Sequence, residues 1–455
     1  MTERSRFTAP ESALLTRLFD LLGAARLTYA VMRNHEPLPD SAGGSDLDLI
    51  VAPGQAGRAK EIIAEAIHAA GGTAVGNMET VAFFKTYALG RAPGDDRWWG
   101  LSIDVNEGLA FRGIQLMARD VPWPVHAHRG IRVLSDGFAG VLGVLKEVLN
   151  NGTVPGRYRA AAVRSVADEW PEIRALLAPM GAVALERLRA LIASGGSGDL
   201  TAQCRAVRRA FFRHAFVTTP RGFVRGLAGR ALANARRYAR PSGKVIAVLG
   251  VDGSGKSTII DAIRPVLDDA THKATIVRHL RPTVLPPLAR LFKRGAARGG
   301  PVTEPHRSAP SGTLGSSLRL GYLSLDYVLG YWLTVRREIA KQPTVVVFDR
   351  YAYDMALDPR RFRIALPAGV VRLATKLVPK PDLVLCLHGR PEVLAARKNE
   401  LPVDEVARQV AALKVLAGEE PRAVLVSTED TVEVARDRAL AAIVERCRTA
   451  ARPSR

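Results

Sequence analysis

The sequence predicts an α/β protein of two or three domains, with a helix-covered parallel sheet in its C-terminal half and an α+β arrangement in its N-terminal half. Three observations predict it. The chain has 455 residues, more than one ordinary core accommodates. From residue 242 onward, apolar strand patterns alternate with helical ones, as in sheets built from strand–helix–strand units. Within that region VIAVLGVDGSGKSTI, residues 245–259, runs from a buried-type strand through a glycine-rich turn into a helix.

Composition narrows the classes further. The apolar fraction of 47% is ordinary for a globular protein. No apolar run reaches about 18 residues, so no membrane-spanning helix is expected. The charged start, MTERSRFTAPESALL, lacks a signal-peptide core, which makes a cytoplasmic location the expectation. Cys204, Cys386 and Cys447 are far apart and read as reduced structural thiols rather than a disulfide framework or zinc site. The net charge of +21 attracts phosphates, nucleic acid or anionic membrane surfaces. The excess of arginine over lysine, with abundant alanine, equally fits the bias of a GC-rich genome. Small phosphates are the expected partners, and no nucleic acid is.

The N-terminal elements follow in order. PESALLTRLFDLLGAA has helical periodicity, with Thr8 and Glu11 placed for a capping box. LTYAVMR and SDLDLIVA read as strands, Ala56–Gly72 as a helix with a glycine stop, and WWGLSIDVNEG as a strand. FAGVLGVLKEVLNNG and much of 157–193 read as helices. SGGSGD, Ser194–Asp199, suits a flexible linker. Leu200–Val251 contains no acidic residue but ten arginines and one lysine, interleaved with Phe211, Phe212, Phe216, Phe223 and Tyr238. That pattern fits a basic amphipathic helix lying on anionic lipid, giving membrane association, or an interdomain helix with a solvated basic face. The expected division is 1–193, a basic helical linker at 194–241, and 242–455.

In the last region strands are expected at 245–250, 274–280, 344–349, 382–388 and 422–427. Helices are expected at 256–267, about 317–340, 391–399 and 431–448. RGGPVTEPHRSAPSGTLG, rich in Gly, Pro and Ser, reads as a mobile loop.

Gly250-x4-Gly255-Lys256-Ser257 matches G-x-x-x-x-G-K-[ST]. Glycines let the backbone amides of such a loop converge on a β-phosphate. The residues expected to hold ATP are Gly250, Asp252, Gly253, Ser254, Gly255, Lys256, Ser257 and Thr258. The Lys256 amine suits the β- and γ-phosphates, the Ser257 hydroxyl suits Mg2+, and the helix start adds a favourable dipole. TVVVFDR, 344–350, is an apolar strand ending in Asp349, suited to holding Mg2+ or the acceptor, and Arg350, suited to charge on the transferred group.

GVDGSGKST, VVVFDRY and PDLVLCLHGRPEVLAARK together resemble the thymidylate kinase family of P-loop nucleoside-monophosphate kinases, over about 242–450. The resemblance implies a P-loop NTPase fold with a five-stranded parallel sheet and flanking helices. It also implies γ-phosphoryl transfer from Mg·ATP to a bound monophosphate, nominally dTMP. Asp252 would approach the acceptor hydroxyl, Arg350 the phosphoryl groups, and Arg397 and Lys398, with Arg408 a weaker candidate, a lid over ATP. Such kinases are often homodimers.

The family's acceptor-side motif is absent. VRHLRP stands there instead, so that Arg278, His279 and Arg281 are available for an anion. DRYAYDMALDPRRFR replaces the usual stretch after Asp-Arg-Tyr, and a strand that usually ends Leu-Asp ends Leu387-His388. Tyr322, Asp326 and Trp332 sit where the acceptor pocket is expected, Tyr322 and Asp326 at helical spacing, and a helix packed on the sheet fits them too. Asp354, Asp358, Arg360 and Arg361 suit either acceptor reading or a salt-bridged loop. The acceptor is therefore a nucleoside monophosphate or a related small phosphorylated or hydroxylated molecule. One alternative is a sugar, glycerol or lipid-linked acceptor in surface-polysaccharide synthesis, where divergent fused relatives of the family occur. Another is a non-catalytic ATP-binding regulator.

In the first half, GGSDLDLIV places Asp46 and Asp48 on one strand face. With Asp104 from GLSIDV they could hold Mg2+ for nucleotidyl transfer. Residues 12–190 resemble the nucleotidyltransferase fold with appended helices. Arg33-Asn34 stands where active members carry a Gly-Ser pair. His126 and His128 read as surface residues.

Overall fold

The structure is a computed structural model, of which residues 9–154, 156–194, 199–286, 311–398 and 400–451 are described. The chain forms two compact units, Met1–Arg237 and Tyr238–Arg455.

The first unit contains α1 (Ser12–Ala24), β1 (Tyr29–Val31), β2 (Leu47–Val51), α2 (Ala56–Ala69), β3 (Gly72–Thr80), β4 (Phe83–Arg91) and β5 (Trp98–Glu107). A small hairpin of β6 (Ala110–Phe111) and β7 (Ile114–Gln115) follows, then β8 (Val125–His128) and β9 (Ile131–Leu134). The helices α3 (Asp136–Asn150), α4 (Gly156–Asp168), α5 (Trp170–Leu176), α6 (Ala182–Ala193), α7 (Leu200–Thr218) and α8 (Pro220–Ala239) complete the order. Seven strands form one mixed sheet in the order β3-β4-β5-β2-β1-β9-β8. Alternation along β2 decides the faces. Leu47, Leu49 and Val51 join α1 and α2 in one core, whereas Ile50 joins a second core with α3 and the helices after it. Asp46 and Asp48 share the Ile50 side of the strand by the same alternation.

Thr8, and with it the expected capping box, lies outside the described residues. The Glu11 carboxylate accepts from Ser41 Oγ at 3.0 Å and Ala42 N at 3.1 Å, tying the start of α1 to a loop. One expectation is corrected here: 194–241 is not a separate basic linker. Cys204, Val207, Phe211 and Ala215 of α7 are buried in the second core of the first unit. The charged pattern hid a narrow apolar stripe at intervals of three and four residues. Most of SGGSGD, and most of the expected mobile loop, lie outside the described residues.

The second unit contains β10 (Lys244–Gly250), α9 (Lys256–Thr271), β11 (Thr275–His279), β12 (Val345–Asp349), β13 (Leu383–His388) and β14 (Ala423–Ser427). The helix Thr313–Gly330 continues through a π turn, Tyr331–Val335, into Arg336–Lys341. Helices Asp354–Leu357, Ala368–Leu377, Pro391–Lys398, Val403–Glu419 and Val432–Ala451 follow. The five strands are all parallel, in the order β11-β12-β10-β13-β14. Val345–Phe348 and Leu383–Leu387 are buried throughout, as continuous apolar runs covered on both faces must be. The crossing from β10 to β12 on one side and β13 on the other leaves the glycine loop at the carboxyl end of the central strand, the usual ligand position in such sheets. Among the described residues, no helix is long and apolar enough to cross a membrane.

Candidate functional site

The glycine loop connects β10 to α9, and its backbone requires its glycines. Gly253 has φ +85°, and a Cβ there would lie 2.4 Å from the Leu394 carbonyl oxygen. A Cβ on Gly250 would meet Ser254 Oγ at 2.4 Å. Gly255, also left-handed, stands at the N-cap of α9. Ser254 is fully buried, and its Oγ has no hydrogen-bond partner among the described residues. Ser257 and Thr258, in the first turn of α9, are exposed.

Lys256 is buried and folds back on the loop. Its Nζ donates to the carbonyls of Gly250 and Val251, both at 2.9 Å, and lies 3.7 Å from Asp252. Burial, reinforced by the nearby Arg350 charge, pushes its pKa down to about 8 against the pull of Asp252. An arriving polyanion would reverse that balance.

Asp252 is the hub of the site. It accepts from Arg350, from Arg361 at 2.5 Å, and faces Lys256. Burial works to raise its pKa, but Arg350, Lys256 and Arg361 outweigh burial and hold the carboxyl at about 2. Arg350 also reaches Asp354 at 3.6 Å, and both are buried. Its backbone is left-handed, φ +78°, an unusual state for a side-chain-bearing residue, held by its N–H bond to Val248 O at 3.0 Å. Asp354 loses solvation through burial, which raises its pKa although Arg350 and Lys256 oppose this.

The sign of the Asp252 shift gives a pH prediction. A carboxyl depressed from 3.8 to about 2 stabilises the fold fully above pH 4, and that contribution disappears as pH falls from about 4 to about 2. The shift corresponds to about 2 kcal/mol. Asp252→Asn should therefore destabilise the second unit by about 2–3 kcal/mol at pH 7, and the gap from wild type should close toward pH 2. Denaturant melts at several pH values check this; a gap independent of pH would contradict it.

Asp349 ends β12 beside the loop strand. Its Oδ2 pairs with His279 Nδ1 at 3.1 Å, while Oδ1 is buried with no hydrogen-bond partner among the described residues. A buried carboxylate oxygen without a partner and an exposed hydroxyl such as that of Ser257 are each hard-oxygen ligands of the kind Mg2+ takes.

Other expected site residues are spent elsewhere. Asp326 does not face a cleft: it is fully buried, accepting from Arg281 at 3.2 Å and from Leu285 N at 2.6 Å. The helix carrying it is turned inward, because Leu320 and Tyr327 enter the core. Tyr322 donates to the Pro286 carbonyl. Arg278 pairs with Glu338 at 2.5 Å. Arg397 donates to Thr428 O at 3.1 Å, and its Cβ lies 3.6 Å from where a Cβ on Gly253 would stand. Arg408 is held by Glu405 and by Leu357 O. Of the loop after Asp-Arg-Tyr, Arg361 and Asp354 join the Asp252 network, and Asp358 caps Arg361 N at 3.2 Å.

The first unit also gathers its expected carboxylates. Asp48 on β2 stands directly beside Asp104 on parallel β5. With Asp46 they bring one oxygen each within 4.8 Å of one another. Arg33 pairs with Asp48 and reaches Asp46 at 3.3 Å, and Lys85 reaches Asp104 at 2.9 Å. Burial pushes the Asp104 carboxyl up to about 6 despite Lys85. Sequence reasoning missed both cations. Arg33 was legible as the departure from Gly-Ser, but Lys85 lies on β4, which the alternation did not reveal.

No family model matches the sequence, and no curated protein matches it. Solved structures do match. One is a thymidylate kinase from Ehrlichia chaffeensis, similar at 12% identity with a TM-score of 0.32, over 44% of this chain and 98% of that one.

Proposed function

We propose that the second unit is an ATP-dependent phosphotransferase of the thymidylate kinase-like type, moving the ATP γ-phosphate to a nucleoside monophosphate, nominally dTMP, or a related small acceptor. The observation that carries this reading is the glycine loop itself. A left-handed Gly253–Gly255 turn leads into α9, with a buried Lys256 amine inside it and the unsatisfied Asp349 oxygen at the next strand end. Loop amides and the α9 terminus hold the phosphates, and Lys256 exchanges its carbonyl partners for phosphate oxygens. Mg2+, held by Ser257 and Asp349, would neutralise charge between the phosphates. Arg350 is fixed by Asp252 and Asp354 to meet charge developing on the transferred group. Positioning and preorganised charge supply most of the acceleration in such transfers.

Equilibrium ATP binding with and without Mg2+ tests the metal assignment. Mg2+ should tighten binding to the wild type, and Asp349→Asn should lose about tenfold or more of that gain. An undiminished gain in Asp349→Asn would remove Asp349 from the site.

A second reading concerns the first unit, and the convergence of Asp46, Asp48 and Asp104 favours it. These carboxylates hold a divalent cation when Arg33 and Lys85 give way. Mn2+ binding followed by electron paramagnetic resonance should be lost in Asp46→Asn/Asp48→Asn and strengthened in Arg33→Ala. Binding unaffected by either change would leave the cluster as a charge-paired strand end.

A further inference from the structure

The first unit contains a cavity of about 330 Å³ that neither reading above uses. Its floor is apolar: Phe111, Leu116, Leu145 and Leu149 are all buried. Its charged lining is of one sign, set among the neutral Thr80, Asn106, Asn150 and Asn234. Arg112, Lys146, Arg230 and Arg237 line it, and no carboxylate does among the described residues. Arg112, Lys146 and Arg230 are exposed, so charge gathers at the rim and apolar surface at the bottom. The Arg112 guanidinium lies over the Phe111 ring, 5.3 Å from its centroid, a cation joined to the apolar wall.

α8 supplies two of these cations, and its approach is built in. A Cβ on Gly113 would lie 2.6 Å from the Gly226 carbonyl oxygen, and one on Gly226 would meet Gly113 O at the same distance. Only glycine at both positions lets α8 lie backbone-to-backbone on the β6–β7 turn. Arg230 and Arg237 are thereby held on one side of the helix. Burial lowers the Arg237 pKa, and the Arg230 charge lowers it further. Arg237 donates to Asn234 Oδ1 and Met78 Sδ, and among the described residues the charges that line the cavity are all positive, which favours an anionic ligand.

We propose that this cavity binds an organic phosphate whose remaining part is apolar or aromatic, with the phosphate at the arginine rim and the apolar part on the Phe111–Leu145 floor. Such a ligand comes either as a free phosphate ester or as the headgroup region of a phospholipid. Its place in the sheet gives it a neighbour. Phe83 and Asn106, which line the cavity, pair across β4 and β5 as Lys85 and Asp104 do two residues away. The cavity is therefore about 7 Å along the strands from the carboxylate cluster.

The inference is independent of phosphotransfer in the second unit, and its test is run in full-length Lys256→Ala protein to weaken phosphate binding at the glycine loop. Calorimetric titration compares 4-nitrophenyl phosphate, inorganic phosphate and uncharged 4-nitrobenzyl alcohol. Flotation compares phosphatidylcholine vesicles with and without phosphatidic acid. The aromatic phosphate should bind about tenfold more tightly than inorganic phosphate, or the phosphatidic acid vesicles alone should capture the protein; the arm that responds identifies the source. Arg230→Glu should weaken that binding about tenfold, and Arg230→Gln by less. Arg58→Glu, an equal charge change at an exposed site on α2, should leave it within about twofold. Thermal melts confirm that each variant is folded. Binding by neither probe, or an equal loss in Arg58→Glu and Arg230→Glu, would overturn the proposal.

Discussion

Lys256→Ala should reduce phosphoryl transfer by about a thousandfold while leaving the protein folded. The reasoning starts from what Lys256 does in the unliganded chain. Its ammonium is buried against two loop carbonyls and beside Arg350, and burial has brought its pKa down to about 8. A buried charge of this kind costs the fold stability, so alanine need not destabilise the unit. What alanine removes is the one side-chain cation inside the loop, placed where β- and γ-phosphate charge would accumulate. Loss should fall on turnover more than on folding. Single-turnover kinetics together with a denaturant melt separate the two. A variant that unfolds, or one that retains more than about a tenth of wild-type turnover, would contradict the assignment.

Arg350→Ala should differ in stability, with a large loss of both stability and activity. Arg350 bridges Asp252 and Asp354, all three nearly inaccessible to water. Removing it leaves Asp354, whose carboxylate is already disfavoured by burial, with no cation in direct contact among the described residues. Asp252 keeps Arg361 and Lys256. Breaking one side of a buried ion network costs about 3–5 kcal/mol. Arg350→Lys should recover little of this, because an ammonium cannot span two carboxylates as a planar fork does. Asp354→Asn in the Arg350→Ala background should restore part of the stability and none of the activity. An additive loss in that double variant would show that the two side chains are not coupled.

These two residues also mark what the sequence made legible. The loop was readable because its chemistry is local. Gly250 to Ser257 are consecutive, their spacing is fixed by the turn, and the flanking strand and helix patterns are strong. Asp349 and Arg350 were readable as the end of an apolar strand. The sequence is compatible with either role for Asp354 and Arg361, since whether a charged residue is a ligand or a structural partner depends on what faces it across the fold. Asp326 shows the limit most clearly. Its helical spacing from Tyr322 is compatible with a cleft, but the helix is rotated by Leu320 and Tyr327, and the carboxylate is buried against Arg281. The same holds in the first unit. Asp46, Asp48 and Asp104 could be paired from strand alternation, whereas Lys85 could not, because the β3–β4 hairpin carries no strong turn or alternation signal. In α7 the four buried residues were present in the pattern, but the surrounding arginines masked them.

The most direct test is ADP release from Mg·ATP in the presence of dTMP, and then of other monophosphates, sugars and glycerol, with Lys256→Ala as the control. Acceptor-dependent turnover that the variant loses is the predicted result, and the acceptor giving it names the substrate class. ATP binding with no acceptor-dependent turnover across the whole panel would contradict phosphotransfer and leave the second unit as a nucleotide-binding regulator.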